Sequence, residues 1–174
     1  MQRLDPKKIW VADIKPGAVK FQKEQFNVNG IVSLETPDDL VIDKYFDCIF
    51  VASLFSHLPE DYFRRLLEYL YGLLNSNGVI IFTVHDASLL RLPKQNHKNG
   101  FIFLKVNEED GLLIENKLRI TSIYGTSYVT EESVRKVIET ISNNNQKYYR
   151  YKKLCGIGKI SISCRETAMT TSLV

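Results

Sequence analysis

The chain has 174 residues, 44% of them hydrophobic and 25% charged, which suits one domain with a buried core and excludes a disordered polymer. Lys and Arg number 23 against 20 Asp and Glu, a net charge of +3, too near balance for nucleic-acid or membrane binding by field alone. The cysteines Cys48, Cys155 and Cys164 stand far apart with no C-x-x-C pair, which speaks against a disulfide scaffold or zinc finger and for a reducing compartment. No apolar run approaches the roughly 18 residues of a membrane span. The stretch from Met1 to Lys8 lacks the apolar core of a signal peptide, so a soluble, cytoplasmic protein is expected.

Ile9-Trp10-Val11-Ala12 reads as a strand ending at Asp13, and Pro16 to Phe26 as a helix with Pro at its first position. Gly30 to Leu34 reads as a second strand. Phe46 to Ser53 is almost continuously apolar, the pattern of a strand buried on both faces by helices. A strong helix follows from Pro59, with Glu60 and Asp61 against the positive end of its dipole and Phe63, Leu66, Leu67 and Leu70 along one face. Asn75 to Gly78 is expected to stop it, and Val79 to Val84 is a further buried-strand run. The recurring strand, helix, strand order predicts a parallel sheet covered on both faces.

After Asp86 the pattern changes. Phe101 to Val106 and Lys117 to Tyr124 are expected as strands of an insertion over the sheet. Thr130 is the expected N-cap of a helix whose stripe is Val134, Val137, Ile138 and Ile141. Lys159 to Cys164 alternates as a half-exposed antiparallel strand, with Tyr148 to Cys155 as its hairpin partner. Residues 1–165 are thus expected as one α/β domain and 166–174 as a flexible tail.

Ligands of open α/β sheets sit at the carboxyl ends of the strands. Asp13 occupies such an end, where a carboxylate can accept both hydroxyls of a ribose or serve as a helix-terminal charge. Ser53 to Pro59 lies at the same edge. There the hydroxyls of Ser53 and Ser56 can line a cleft, and His57 can bond a ligand, take a proton, or cap the helix that follows. His85-Asp86 ends the next strand, but neighbours in extended chain point opposite ways and no third ligand stands at a metal-binding spacing, so no metal site is expected. Tyr148 to Lys153 mixes aromatics and cations as single-strand nucleic-acid binders do, yet at this net charge a solvated strand face is expected. Gly156-Ile157-Gly158 lacks the third glycine and following helix of a phosphate loop.

Phe46 to Pro59 and, after the helix, Leu73 to Thr83 resemble the corresponding stretches of the Rossmann-like, class I S-adenosylmethionine-dependent methyltransferases. Trp10 to Ile14 resembles the family's second strand with its acidic residue, and Lys159 to Cys164 its reversed last strand. The resemblance implies a three-layer α/β fold, mainly parallel with an antiparallel C-terminal pair, and S-adenosylmethionine as cofactor. It implies cofactor contacts at Asp13, Ile14, Ser33, Leu34, Ser53, Leu54 and His57, with His57 and His85 as the candidates for proton transfer. A small-molecule or other methyl acceptor would meet the segment from Ala87 to Tyr128. The family's first strand and glycine-rich loop would precede Asp13 by roughly 20 residues. Only 12 residues stand there, without glycine, so the domain is expected to be N-terminally incomplete, with open strand edges that invite self-association. Two other readings stay open: a non-catalytic module or fragment of the same fold, and a dehydrogenase-like domain holding a nicotinamide cofactor.

Overall fold

The computed structural model describes residues 4–34, 36, 40–90, 100–105 and 124–142, and the backbone of 146–155 and 158–165. The expected strand 117–124, except Tyr124, lies outside the described residues, as does the tail 166–174. The chain divides into two compact units, Met1–Ile42 and Asp43–Val174.

In the first unit β1 (Trp10–Asp13), α1 (Pro16–Phe26) and β2 (Asn29–Val32) follow a short 3-10 turn at Pro6–Lys8. β1 and β2 pair in parallel, Trp10 opposite Asn29 and Asp13 opposite Val32. α1 ends as Asn27 turns left-handed at φ 54° and donates its N–H to the Lys23 carbonyl. Val19 is the buried residue of the helix, and it settles onto Gly30 of β2. A Cβ at Gly30 would stand 2.5 Å from Val19 Cγ1, so only glycine lets the helix come this close.

The second unit contains β3 (Phe46–Val51), α2 (Glu60–Gly72), β4 (Leu74–Asp86), β5 (Phe101–Lys105), β6 (Gly125–Val129), α3 (Glu131–Ser142), β7 (Gln146–Cys155) and β8 (Gly158–Arg165). β4 is the hub of a six-stranded sheet. It pairs in parallel with β3, antiparallel with β8, and in parallel with β6 through His85–Tyr128 and Asp86–Val129. β5 and β7 extend the sheet antiparallel to β6 and β8. This mixed α/β sheet with an antiparallel C-terminal pair agrees with the expected fold class.

The core gathers where α2 and α3 meet one face of β4. Phe55, Phe63, Leu67, Ile80, Phe82 and Val134 are almost fully buried there. Thr130 Oγ1 caps α3 by accepting from the Ser133 N–H at 3.2 Å.

Four expectations need correction. β3 is not covered on both faces: Ile49 and Val51 pack against the core, whereas the alternate side chains are open, Cys48 being exposed and Phe50 65% exposed. An apolar run reports composition, not how many neighbours the strand finds. β4 likewise buries Ile80, Phe82 and Val84 on one face and leaves Ile81, Thr83 and His85 half-buried on the other. The strong helix stops at Gly72, before Asn75. The Leu73 carbonyl accepts the Phe46 N–H at 2.8 Å, which draws the chain into the β3–β4 ladder at once, and Asn77 takes its left-handed φ of 64° inside that strand. Finally, the expected insertion strand at Phe101 is β5, which pairs with β6 and continues the sheet edgewise instead of lying over it.

Candidate functional site

In the first unit Asp13 ends β1 and its Oδ1 accepts the Lys15 N–H at 2.8 Å, which fixes the carboxylate at the entry to α1. Its Oδ2 has no hydrogen-bond partner among the described residues. Ser33 leaves the end of β2 and donates its N–H to the Asp13 carbonyl at 2.9 Å. Asp13, Ile14, Ser33 and Leu34 therefore stand together at the carboxyl edge of this strand pair. Ile14 and Leu34 present 45% and 53% of their surface there.

In the second unit the chain leaves β3 through Ser53, which holds φ at 57°. Left-handed geometry costs a residue with a side chain about 1–2 kcal/mol, and here local bonds hold it. The Ser53 N–H donates to Thr83 Oγ1 at 2.7 Å, and its carbonyl accepts from Ser56 Oγ at 3.0 Å. Phe55 is fully buried between Phe63 and Phe82, at ring distances of 4.7 and 5.2 Å, and pins the loop to the core. β6 then clamps the loop from its side. Gly125 N–H donates to the His57 carbonyl, Ser127 N–H to the Ser56 carbonyl, and the Ser127 hydroxyl to the Leu58 carbonyl. Gly125 has no room for a side chain, since a Cβ would lie 2.5 Å from the Leu104 carbonyl and the Phe103 ring.

His57 does not cap α2. Its Nδ1 lies 2.9 Å from the Gly125 carbonyl, and the ring stacks on Tyr124 at 4.9 Å and 8°. His85 shares the half-buried face of β4 with Thr83, 6.2 Å from His57 and 5.4 Å from Tyr128 between ring centroids. Burial, and then the neighbouring His57, hold the His85 pKa below its ordinary value against a hydrogen bond to the Ser127 backbone. Asp86 points away from His85 into a separate task, accepting the Ser88 N–H at 2.9 Å to start the 3-10 turn Ala87–Leu89.

The structure thus brings Ser53, Leu54, His57 and His85 to one edge of the second unit, and Asp13, Ile14, Ser33 and Leu34 to one edge of the first. Tyr124, Tyr128 and Thr83 were missed from sequence.

No protein-family profile and no curated protein matches the sequence. Solved structures do. A 1,6-didemethyltoxoflavin-N1-methyltransferase from Burkholderia thailandensis superposes with a TM-score of 0.57 at 11% identity, over 92% of this chain and 61% of its own. The fold is that of a class I methyltransferase. An O-methyltransferase family protein from the same organism gives a TM-score of 0.59 at 9% identity over 91% of this chain and 44% of its own. An S-adenosylmethionine-dependent methyltransferase from Clostridium acetobutylicum gives 0.55 at 11% identity over 91% and 75%. The chain therefore spans 61% of the first of these relatives and less than half of the second. No described helix is long and apolar enough to cross a membrane.

Proposed function

We propose that this methyltransferase fold transfers methyl groups from S-adenosylmethionine to a small acceptor. The observation that carries the reading is the placement of Asp13, half-buried and fixed at the carboxyl end of β1, on a fold whose solved relatives were crystallised with S-adenosylhomocysteine. The residues at the edge of the first unit fit the ribose and adenine of that cofactor. Asp13 offers carboxylate oxygen to the ribose hydroxyls, Ile14 and Leu34 offer apolar surface to the adenine, and Ser33 adds a short polar side chain beside them. In the second unit, Thr83 holds Ser53 in its strained turn beside Leu54 and His57. When bound, the cofactor supplies a methyl group activated on a sulfonium. The protein's part is to hold the acceptor in line and exclude water. His57 and His85 are the groups placed to manage a proton.

The antiparallel β8, lying between β4 and β7, favours this reading over a dehydrogenase-like domain. The exposed Cys48 thiol supports a reducing, cytoplasmic setting.

Calorimetric titration of S-adenosylhomocysteine into the wild type and Asp13→Ala tests the reading. A charge-assisted hydrogen bond is worth about 1.5–3 kcal/mol, so the variant is expected to bind roughly tenfold to over a hundredfold more weakly. Equal affinities would remove Asp13 from the site. No heat in either protein would leave the non-catalytic module as the better description.

A further inference from the structure

Two imidazoles meet at the edge of the second unit, and His57 has one ring nitrogen already engaged. A carbonyl only accepts, so the contact with Gly125 places the proton of neutral His57 on Nδ1 and leaves a lone pair on Nε2. The buried His85 Nδ1 has no hydrogen-bond partner among the described residues. Burial, and then the neighbouring His57, lower the His85 pKa. Two nearby hydroxyls are spent on backbone carbonyls: Ser56 Oγ donates to that of Ser53 and Ser127 Oγ to that of Leu58. An anionic ligand would meet the His57 Nε2 lone pair here. A ligand bearing O–H or N–H would meet a partner. The walls are flat as well, with Tyr124 parallel to His57 and Tyr128 against His85.

We propose that His57, His85, Tyr124 and Tyr128 form the subsite for the group to be methylated, and that it takes a planar, uncharged aromatic ligand whose O–H or N–H donates to His57 Nε2. The fate of that ligand rests on the methyl-transfer reading, whereas its binding is a property of the second unit. Tyr124 and the Gly125 carbonyl act as positioning groups, holding the imidazole in one tautomer and one plane. The same arrangement disfavours carboxylate and phosphate acceptors, since the His57 Nε2 lone pair gains no bond from an anion.

With three histidines in the chain, imidazole NMR reads the subsite directly. Ring nitrogen signals, assigned with His57→Gln and His85→Gln, are followed as 2-naphthol is added at neutral pH. 2-Naphthoate (planar, charged) and cyclohexanol (uncharged, not planar) are the controls, and S-adenosylhomocysteine is titrated separately by calorimetry. 2-Naphthol is expected to bind at least tenfold more tightly than either control and to shift His57 Nε2 and the His85 ring. Tyr124→Leu is expected to weaken it about three- to tenfold, while Tyr124→Phe, which keeps the stacked ring, stays within twofold. Naphthoate binding as tightly as naphthol, histidine signals that do not move, or a Phe variant as weak as the Leu variant would each overturn the proposal. Naphthol binding without S-adenosylhomocysteine binding would keep the subsite and refute methyl transfer. The opposite result would refute the subsite alone.

Discussion

Replacing Phe55 by Ala is expected to uncouple the loop after β3 from the core on which it stands. Phe55 is fully buried and touches two further rings, Phe63 at 4.7 Å and Phe82 at 5.2 Å. Burying a phenyl group removes roughly 150–200 Å² from water, about 4–5 kcal/mol at about 25 cal/mol per Å². Measured Phe→Ala changes in cores cost about 3–5 kcal/mol, which agrees. With a urea m-value of about 2 kcal/mol/M, the midpoint of unfolding falls by about 1.5–2.5 M. Phe55→Leu keeps most of the volume and is expected to cost about 1–2 kcal/mol. Leu54→Ala, at an exposed neighbour, is the control and should move the midpoint little. Urea curves followed by circular dichroism give all three midpoints. If Phe55→Ala unfolds with Leu54→Ala, the loop is not held by this ring and the reasoning fails.

Three further outcomes are expected. On α2, Leu67→Ala should cost about 2–5 kcal/mol, Leu70→Ala less because it is only half-buried, and Arg65→Ala about 0.5 kcal/mol, as read from denaturant midpoints. Thr130→Ala removes the side-chain acceptor of the Ser133 N–H and should lower stability by about 1 kcal/mol, with Thr130→Ser recovering most of it. The groups facing His85 are the His57 ring, Tyr128 and the Ser127 backbone, and its pKa is lowered, so the unfolded chain takes up a proton that the folded chain resists. Stability from this source is complete above about pH 6.5 and is lost as the pH falls through the depressed value. His85→Gln should flatten the acid side of the stability-against-pH curve, and an unchanged slope would show that His85 is not its origin.

Elements whose signal is local were legible in the sequence. Pro16 and the αL-competent Asn27 bracket α1, and the Pro59-Glu60-Asp61 start and the Phe63-Leu66-Leu67 stripe define α2. Thr130 marks the start of α3 in the same way. β6 was not legible, because the side chains it buries are Gly125, Ser127 and Val129, and two of those carry no apolar signal. Ser127 is buried because Leu58, 69 residues earlier, accepts its proton, and no window along the chain holds both. The candidate site divides the same way. His57 and His85 follow from the rule that ligands meet strand ends. Tyr124 and Tyr128 enter through the β4–β6 pairing, which is tertiary information. The apolar run at Phe46–Val51 correctly marked a strand but could not say that Phe50 would lack a covering layer.

The position of β4 at the hub of its sheet has a consequence during synthesis. Val79 is paired with Cys164, so the partner of this edge is made 164 − 79 = 85 residues later. At about 5–20 residues per second the ribosome leaves the edge uncovered for roughly 4–17 s. The segment Val79-Ile80-Ile81-Phe82-Thr83-Val84 carries no charge and no proline and is rich in β-branched side chains, the composition of an aggregating hexapeptide. β3 and α2 precede it and can shelter one edge and one face, but the other edge must wait for β8. The newborn chain therefore passes through a stage in which its most adhesive six residues are bare on one side, and a chaperone acting on this protein has its natural target there.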